Sequence, residues 1–132
     1  MSACLELELP AAADGLPGAR QEITGFCCEL GLRGDVVERV RIAVNEACSN
    51  CVRHAFVDAA AGCTYMLETW VEDGALLVVV HDCGVGMGLP SVDGGLGLGF
   101  RIIEELADGT DVSSRLGFGT RVAMRFATRP AA

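Results

Sequence analysis

The sequence predicts an α+β fold: a two-layer α/β sandwich in which helices cover one face of a mixed, mainly antiparallel sheet. Three observations predict it. Segments with two-residue alternation come in neighbouring pairs joined by turn residues. Segments with helical periodicity are grouped. The order strand, helix, helix, strand, strand, loop, helix, strand, strand lacks the repeating βαβ plan of a parallel sheet.

The first strand is CLELELP, where Leu5, Leu7 and Leu9 alternate with Glu6 and Glu8. Pro10 ends it, and one face is expected to be buried. The stretch GLPGARQEITGFCCELGL then sets Ala19, Ile23, Phe26, Cys27 and Leu30 at helical spacing. Pro17 suits the first turn of that helix and Gly31 its end. Asp35 with Glu38 reads as a capping-box-like start to a second helix. Its apolar seam is Val40, Val44, Ala47, Cys51 and Ala55, and Gly62 closes the region.

Two strands follow. TYMLETWVE alternates, whereas ALLVVVHD is continuously apolar and reads as a central strand covered on both sides. Asp73-Gly74 between them is a hairpin signal. The glycine-dense CGVGMGLPSVDGGLGLGF is read as a mobile loop feeding a third helix, roughly Leu96 to Ala107. Two last strands, near Asp111 to Arg115 and Thr120 to Thr128, are joined by Gly117 to Gly119.

Composition bounds the function. The 132 residues suit one domain with one core. The formal charge is −8, and all ten basic residues are arginine. An acidic surface opposes direct binding to nucleic acid or to an anionic membrane, because phosphate neutralisation needs positive charge. No signal peptide opens the chain, and no stretch approaches the ~20 apolar residues of a membrane span. The seven cysteines are therefore expected as free thiols in a reducing cytoplasm. Cys48-x-x-Cys51 has a zinc-like spacing, but both fall inside the second helix with no second such pair, so small buried thiols are expected.

Three pieces carry chemistry. In RIAVNEACSNCVRHAF, residues Glu46, Asn50 and His54 recur at four-residue steps and form one column on a helix face. A solvated face would explain such a column. A cavity would make it specific: Glu46 as general base, the amide oxygen of Asn50 as a hard ligand for Mg²⁺, and Arg53 at the rim to meet phosphate or a partner. His54 fits a packing role better than a catalytic one. In HDCGVGMG an apolar strand delivers Asp82, which as an ionised carboxylate accepts hydrogen bonds only. It suits the exocyclic amine of adenine, where guanine offers a carbonyl. Gly84 and Gly86 would let backbone approach the base; an ordinary strand-ending turn also fits. In GGLGLGFRIIEELADG, the run Gly95, Leu96, Gly97, Leu98 and Gly99 leads into a helix whose first N–H groups suit triphosphate oxygens; a plain glycine hinge is the other reading. This is neither a P-loop, since it lacks the GK[ST] ending, nor a Rossmann fingerprint.

The order and spacing of these pieces resemble the GHKL, or Bergerat-fold, ATPases, a family that includes gyrase and histidine kinases. NEACSNCVRHA is similar to its N box, DCGVG to its first glycine box, GGLGLGF to its second, and GFGT to its late Gly-Thr element. The resemblance covers nearly the whole chain and implies a single histidine kinase-like ATPase domain over residues 1–132. Within that family, VNEACSNCVRHAF, a short lid, and GLGLGFRIIEELAD with GFGTRVAMRF most resemble the stand-alone anti-sigma factor serine kinases. That resemblance implies ATP and Mg²⁺ as cofactors. It implies a sigma factor to sequester and a STAS-fold antagonist to phosphorylate on serine. It also implies a homodimer through the sheet side, with Leu5, Leu7 and Leu9 as candidate contributors. Carried over by position, Glu46 is the base, Asn50 the Mg²⁺ ligand and Asp82 the adenine reader. Thr120 supports the base, and the glycines at 84, 86, 95, 97 and 99 shape lid and phosphate site. The lid MGLPSVDGG holds no Arg or Lys, and Arg101 is the nearest cation. Because phosphoryl transfer depends on positioned positive charge, a second reading stands beside the kinase: a nucleotide-gated protein-binding regulatory module with little or no turnover.

Overall fold

The computed structural model describes residues 3–58, 64–82, 95–115 and 119–128. β1 (Cys4–Pro10) leads through a 3-10 turn (Ala13–Gly15) into α1 (Leu16–Glu29) and α2 (Gly34–Asp58). Then come β2 (Thr64–Glu72), β3 (Ala75–Asp82), α3 (Gly95–Leu106), β4 (Gly109–Arg115) and β5 (Gly119–Ala127). The order along the sheet is β1-β2-β3-β5-β4. Asp73 and Gly74 both take positive φ, 51° and 72°. That two-residue geometry matches strand twist and sets the β2–β3 register from Glu72↔Ala75 to Tyr65↔Asp82.

The sheet was expected to be mixed, yet every pairing among the described strands is antiparallel. β4 does run parallel to β3, but β5 folds back as a hairpin and inserts between them. α3 therefore delivers the chain to an edge strand.

The core lies between the sheet and the helices. Leu67, Leu76, Val78, Val80, Val122, Met124 and Phe126 project from one sheet face to meet Ile23, Val40, Val44, Ala47 and Ile103. Complete burial of such a side chain is worth about 1.5–3 kcal/mol, and this packing holds α2 flat on the sheet. Arg39, near the start of α2, donates from Nη1 to the carbonyl of Leu106 at the end of α3 (3.4 Å). α2 and α3 pack along each other, so the start of α3 falls toward the later turns of α2, where Asn50 lies. The span is roughly 16 Å along either helix at about 1.5 Å per residue.

Three expectations are corrected. β3 is the central strand, but among the described elements helices cover only one of its faces. Its other face carries Leu77, half-buried, and Val79, which is 4% exposed although no layer lies over it. Neighbouring side chains shield it: Trp70 and Arg121 line the same shallow groove of about 300 Å³. Secondly, Leu7 and Leu9 pack into the helix-side core. The open face is made instead by the alternate residues, Trp70, Leu77 and Ala123 among them. Thirdly, no capping box forms at α2. The helix already starts at Gly34, the Asp35 carboxylate pairs with Arg33 (3.1 Å), and Glu38 pairs with Arg41. Nearby guanidinium groups outcompete the backbone N–H for both carboxylates. Among the described residues no helix is long and apolar enough to cross a membrane.

Candidate functional site

Glu46 and Asn50 sit one turn apart on α2, on the side away from Val44, Ala47 and Cys48, which are buried. Glu46 is half-buried and makes no hydrogen bond or ion pair among the described residues. Asn50 is 3% exposed. Its Oδ1 accepts from Arg53 Nη2, while its Nδ2 is buried with no hydrogen-bond partner. The carboxamide orientation follows from this contact, because the opposite one would set an NH₂ against a donor. The His54 side chain lies outside the described residues, although its backbone belongs to the helix.

This arrangement fits a hard cation bound through Asn50. The amide oxygen already accepts from a cationic group, so its lone pair is aimed where positive charge can stand. Mg²⁺ prefers oxygen donors and takes few from protein when phosphates supply the rest. Arg53 and the metal would share one oxygen, so metal binding requires the guanidinium to withdraw to neighbouring phosphate. Asn50→Ala is expected to weaken Mg·nucleotide binding at least about tenfold while leaving metal-free nucleotide binding nearly unchanged. Titration calorimetry with and without Mg²⁺ checks this, and equal losses in both series would remove the metal-ligand role.

The second group forms where β3 ends. Thr120, 6% exposed at the start of β5, donates its backbone N–H to Asp82 Oδ1 at 3.3 Å. Gly119 takes a φ of +94°, and a Cβ built there would stand 2.0 Å from the Asp82 carbonyl oxygen. Only glycine lets β5 pass this close to β3. Thus Asp82 and Thr120, separated in sequence, are joined by backbone contact.

Beneath them lies a buried polar line. Cys48 and Cys51 face the sheet from α2, and both are buried. Burial first, and then the nearby Asp82 charge, pushes the Cys51 thiol well up. Burial pushes the Cys48 thiol up to about 12, and the Tyr65 hydroxyl beside it opposes that shift. The Tyr65 hydroxyl is buried and has no hydrogen-bond partner among the described residues. Tyr65 is in turn the cross-strand neighbour of Asp82. These thiols are protonated and unreactive at neutral pH.

The remaining predicted positions divide. Gly84 and Gly86 lie outside the described residues. Gly95, Leu96, Gly97, Leu98 and Gly99 form the first turns of α3, not a loop before it. Their backbone N–H groups include those an α-helix leaves without intrahelical partners. Arg101 is exposed on α3. Sequence reasoning missed three features: the nearness of the Cys51 thiol to Asp82, the closeness of Gly119 to Asp82, and the Arg53–Asn50 bond. The first two are long-range in sequence and leave no local pattern. The third was legible, since residues three apart on a helix are neighbours.

The chain is similar to known proteins over most of its length. A family model described as the histidine kinase-like ATPase domain matches residues 9–126. The chain is 31% identical over 130 residues to the serine-protein kinase RsbW of Bacillus velezensis, covering 86% of this chain and 79% of that protein. It is 26% identical over 133 residues to the anti-sigma F factor of Clostridium acetobutylicum, covering 92% of this chain and 91% of that protein. In fold it is similar to the crystal structure of the RsbU and RsbW domains of Rv1364c from Mycobacterium tuberculosis. There the TM-score is 0.72 at 18% identity, over 98% of this chain and a third (33%) of that one. With an antiparallel sheet under helices, a Glu–Asn pair on its longest helix and a match over nearly all of its length, the chain belongs to the histidine kinase-like (GHKL) ATPases, on their anti-sigma factor kinase-like branch.

Proposed function

We propose that this chain is an ATP-binding anti-sigma factor and protein serine kinase, which sequesters a sigma factor and phosphorylates a STAS-fold antagonist. The observation that carries the reading is the pair on α2: a half-buried carboxylate with no counter-ion among the described residues, one turn before a buried carboxamide whose oxygen accepts from a cationic group. The names of the relatives, anti-sigma F factor and serine-protein kinase, point to the same activity.

In this reading Asp82, braced by Thr120, accepts from the adenine amine, and the N–H groups opening α3 receive phosphate oxygens. Mg²⁺, when bound, would supply charge neutralisation of the phosphates. Asn50 would hold that ion, and Arg53 would add positive charge in place of the basic residue the lid lacks. Glu46 orients the incoming serine hydroxyl and takes its proton as the serine oxygen bonds to the γ-phosphorus. The bond from that phosphorus to the bridging oxygen breaks, and ADP leaves.

The open sheet face, with Trp70, Leu77 and Val79 rimmed by Arg121 and Arg125, is the surface we assign to a homodimer. Sedimentation should show a dimer for the native chain and a monomer for Trp70→Glu; a native monomer at micromolar concentration would remove that assignment.

The kinase reading is tested by incubating the chain with γ-labelled Mg·ATP and STAS-fold proteins from the same cytoplasm. Label should move to a serine of one of them. Tight, nucleotide-dependent binding of a partner with no label transferred would favour the regulatory module without turnover.

A further inference from the structure

The open face of the sheet carries its charge in two halves. Leu7 and Leu9 turn into the core, so Glu6 and Glu8 of β1 point the other way and are exposed. Glu68 of β2 stands directly opposite Glu6, and like charges placed so repel. His81 Nε2, 3.0 Å from Glu68 Oε1, holds that carboxylate toward β3 and the middle of the face. Beyond β3 the sign reverses. Arg121 and Arg125 of β5 are exposed, and neither guanidinium makes a hydrogen bond or ion pair among the described residues. Between the halves lies the groove of about 300 Å³, with Trp70, Leu77, Val79 and Ala123 in its lining.

We propose that this face binds a second copy of the chain in one orientation only: the two-fold axis lies along β3, each β5 covers the partner's β2, and each acidic half meets a basic half. The inference rests on the homodimer reading above and deepens it.

The strand register carries the orientation. Leu77 stands opposite Trp70 on one side and Arg125 on the other. Val79 stands likewise between Glu68 and Ala123. A two-fold axis along β3 exchanges these sides row by row. Arg125 then covers the partner's Trp70, a cation over an indole. The partner's Glu68 enters above Ala123, whose small side chain leaves room, and is flanked there by Arg121 and Arg125. Aligned sheets keep their strands within about 30° of each other, so the one rival is an axis across the strands. That axis would lay β2 on β2 and β5 on β5, setting glutamate against glutamate and arginine against arginine, and like-charge contact rejects it. Asp111, also lining the groove, is the one acid on the basic half among the described residues. It sits on edge strand β4, at the rim, where solvent screens its approach to the partner's Glu6.

The test is charge reversal, with the dimer Kd read by sedimentation equilibrium at low salt. Glu68→Arg and Arg121→Glu should each raise that Kd at least about tenfold, because every reversal acts twice in a two-fold interface. An equimolar mixture of the two variants should dimerise at least about fivefold more tightly than either alone, since each chain supplies the sign the other lacks. One chain carrying both reversals should regain as much by itself. Glu22→Arg makes the same change of net charge on the exposed side of α1 and should leave the Kd unchanged.

The outcomes separate. If the native chain is a dimer but either reversal leaves its Kd within about twofold, the two halves do not meet and the orientation falls. It falls equally if the mixture is no tighter than its components. If Glu22→Arg weakens the dimer as much as Glu68→Arg, net charge sets the result and the face has no such code. If the native chain is a monomer at micromolar concentration, the homodimer reading itself has failed and the face belongs to a different partner.

Discussion

Glu46→Ala is expected to stop phosphoryl transfer while sparing nucleotide binding. General-base assistance is worth about 10²–10⁴ in rate, so transfer to the STAS-fold acceptor should fall about a thousandfold. Affinity for Mg·ATP should stay within about threefold, because a base that touches only the incoming hydroxyl acts on the transition state and not on the bound nucleotide. Two structural facts favour this split. Glu46 has no ion-pair partner among the described residues, so its removal orphans no buried charge. It is also half-buried, so truncation leaves little cavity in the core. Calorimetry beside a labelled-transfer assay checks both halves. Phosphorylation at the native rate by Glu46→Ala would end the base assignment, and loss of ATP binding alone would move Glu46 to a ligand-holding role.

Gly119→Ala is expected to have the largest effect on the fold and the site together. At φ +94° a side chain is strained whatever room it has, and here the new Cβ would meet the Asp82 carbonyl oxygen at 2.0 Å. The strand must shift away from β3. That breaks the Thr120 N–H to Asp82 bond and opens the β3–β5 pairing near His81↔Arg121. A destabilisation of about 3 kcal/mol is expected, seen as a lower denaturant midpoint. Nucleotide affinity should fall by at least about tenfold even in the fraction that stays folded. Gly109→Ala is the matched control: that glycine does not have positive φ, and its new Cβ would meet Arg125 Cβ at an ordinary 3.7 Å. Equal losses from both substitutions would show that generic strand perturbation, not contact with Asp82, sets the result.

Local chemistry was legible in the sequence where it is self-contained. Asp73-Gly74 announced a turn, because few residues other than Gly, Asn and Asp accept positive φ. The alternation in β1 announced its buried side, and the four-residue steps of Glu46 and Asn50 announced a shared helix face. The errors came where a local motif competed with tertiary partners. Asp35 and Glu38 have cap spacing, yet Arg33 and Arg41 take their carboxylates. The apolar run in β3 reads as double-sided cover, because periodicity reports burial and not what does the burying. Val79 is shielded by its sheet neighbours. The contacts around Asp82 could not be read at all. Cys51, Tyr65 and Gly119 come near it only once α2 lies on the sheet and β5 inserts beside β3.

Helix α2 runs unbroken over 25 residues. The proposed proton acceptor, metal-holding amide and phosphate-facing guanidinium are all rooted in that single rod. Heat or denaturant therefore cannot disable them one by one. Fraying of the loops would change access, but chemical competence should vanish only when the rod itself detaches from the sheet, in one cooperative step.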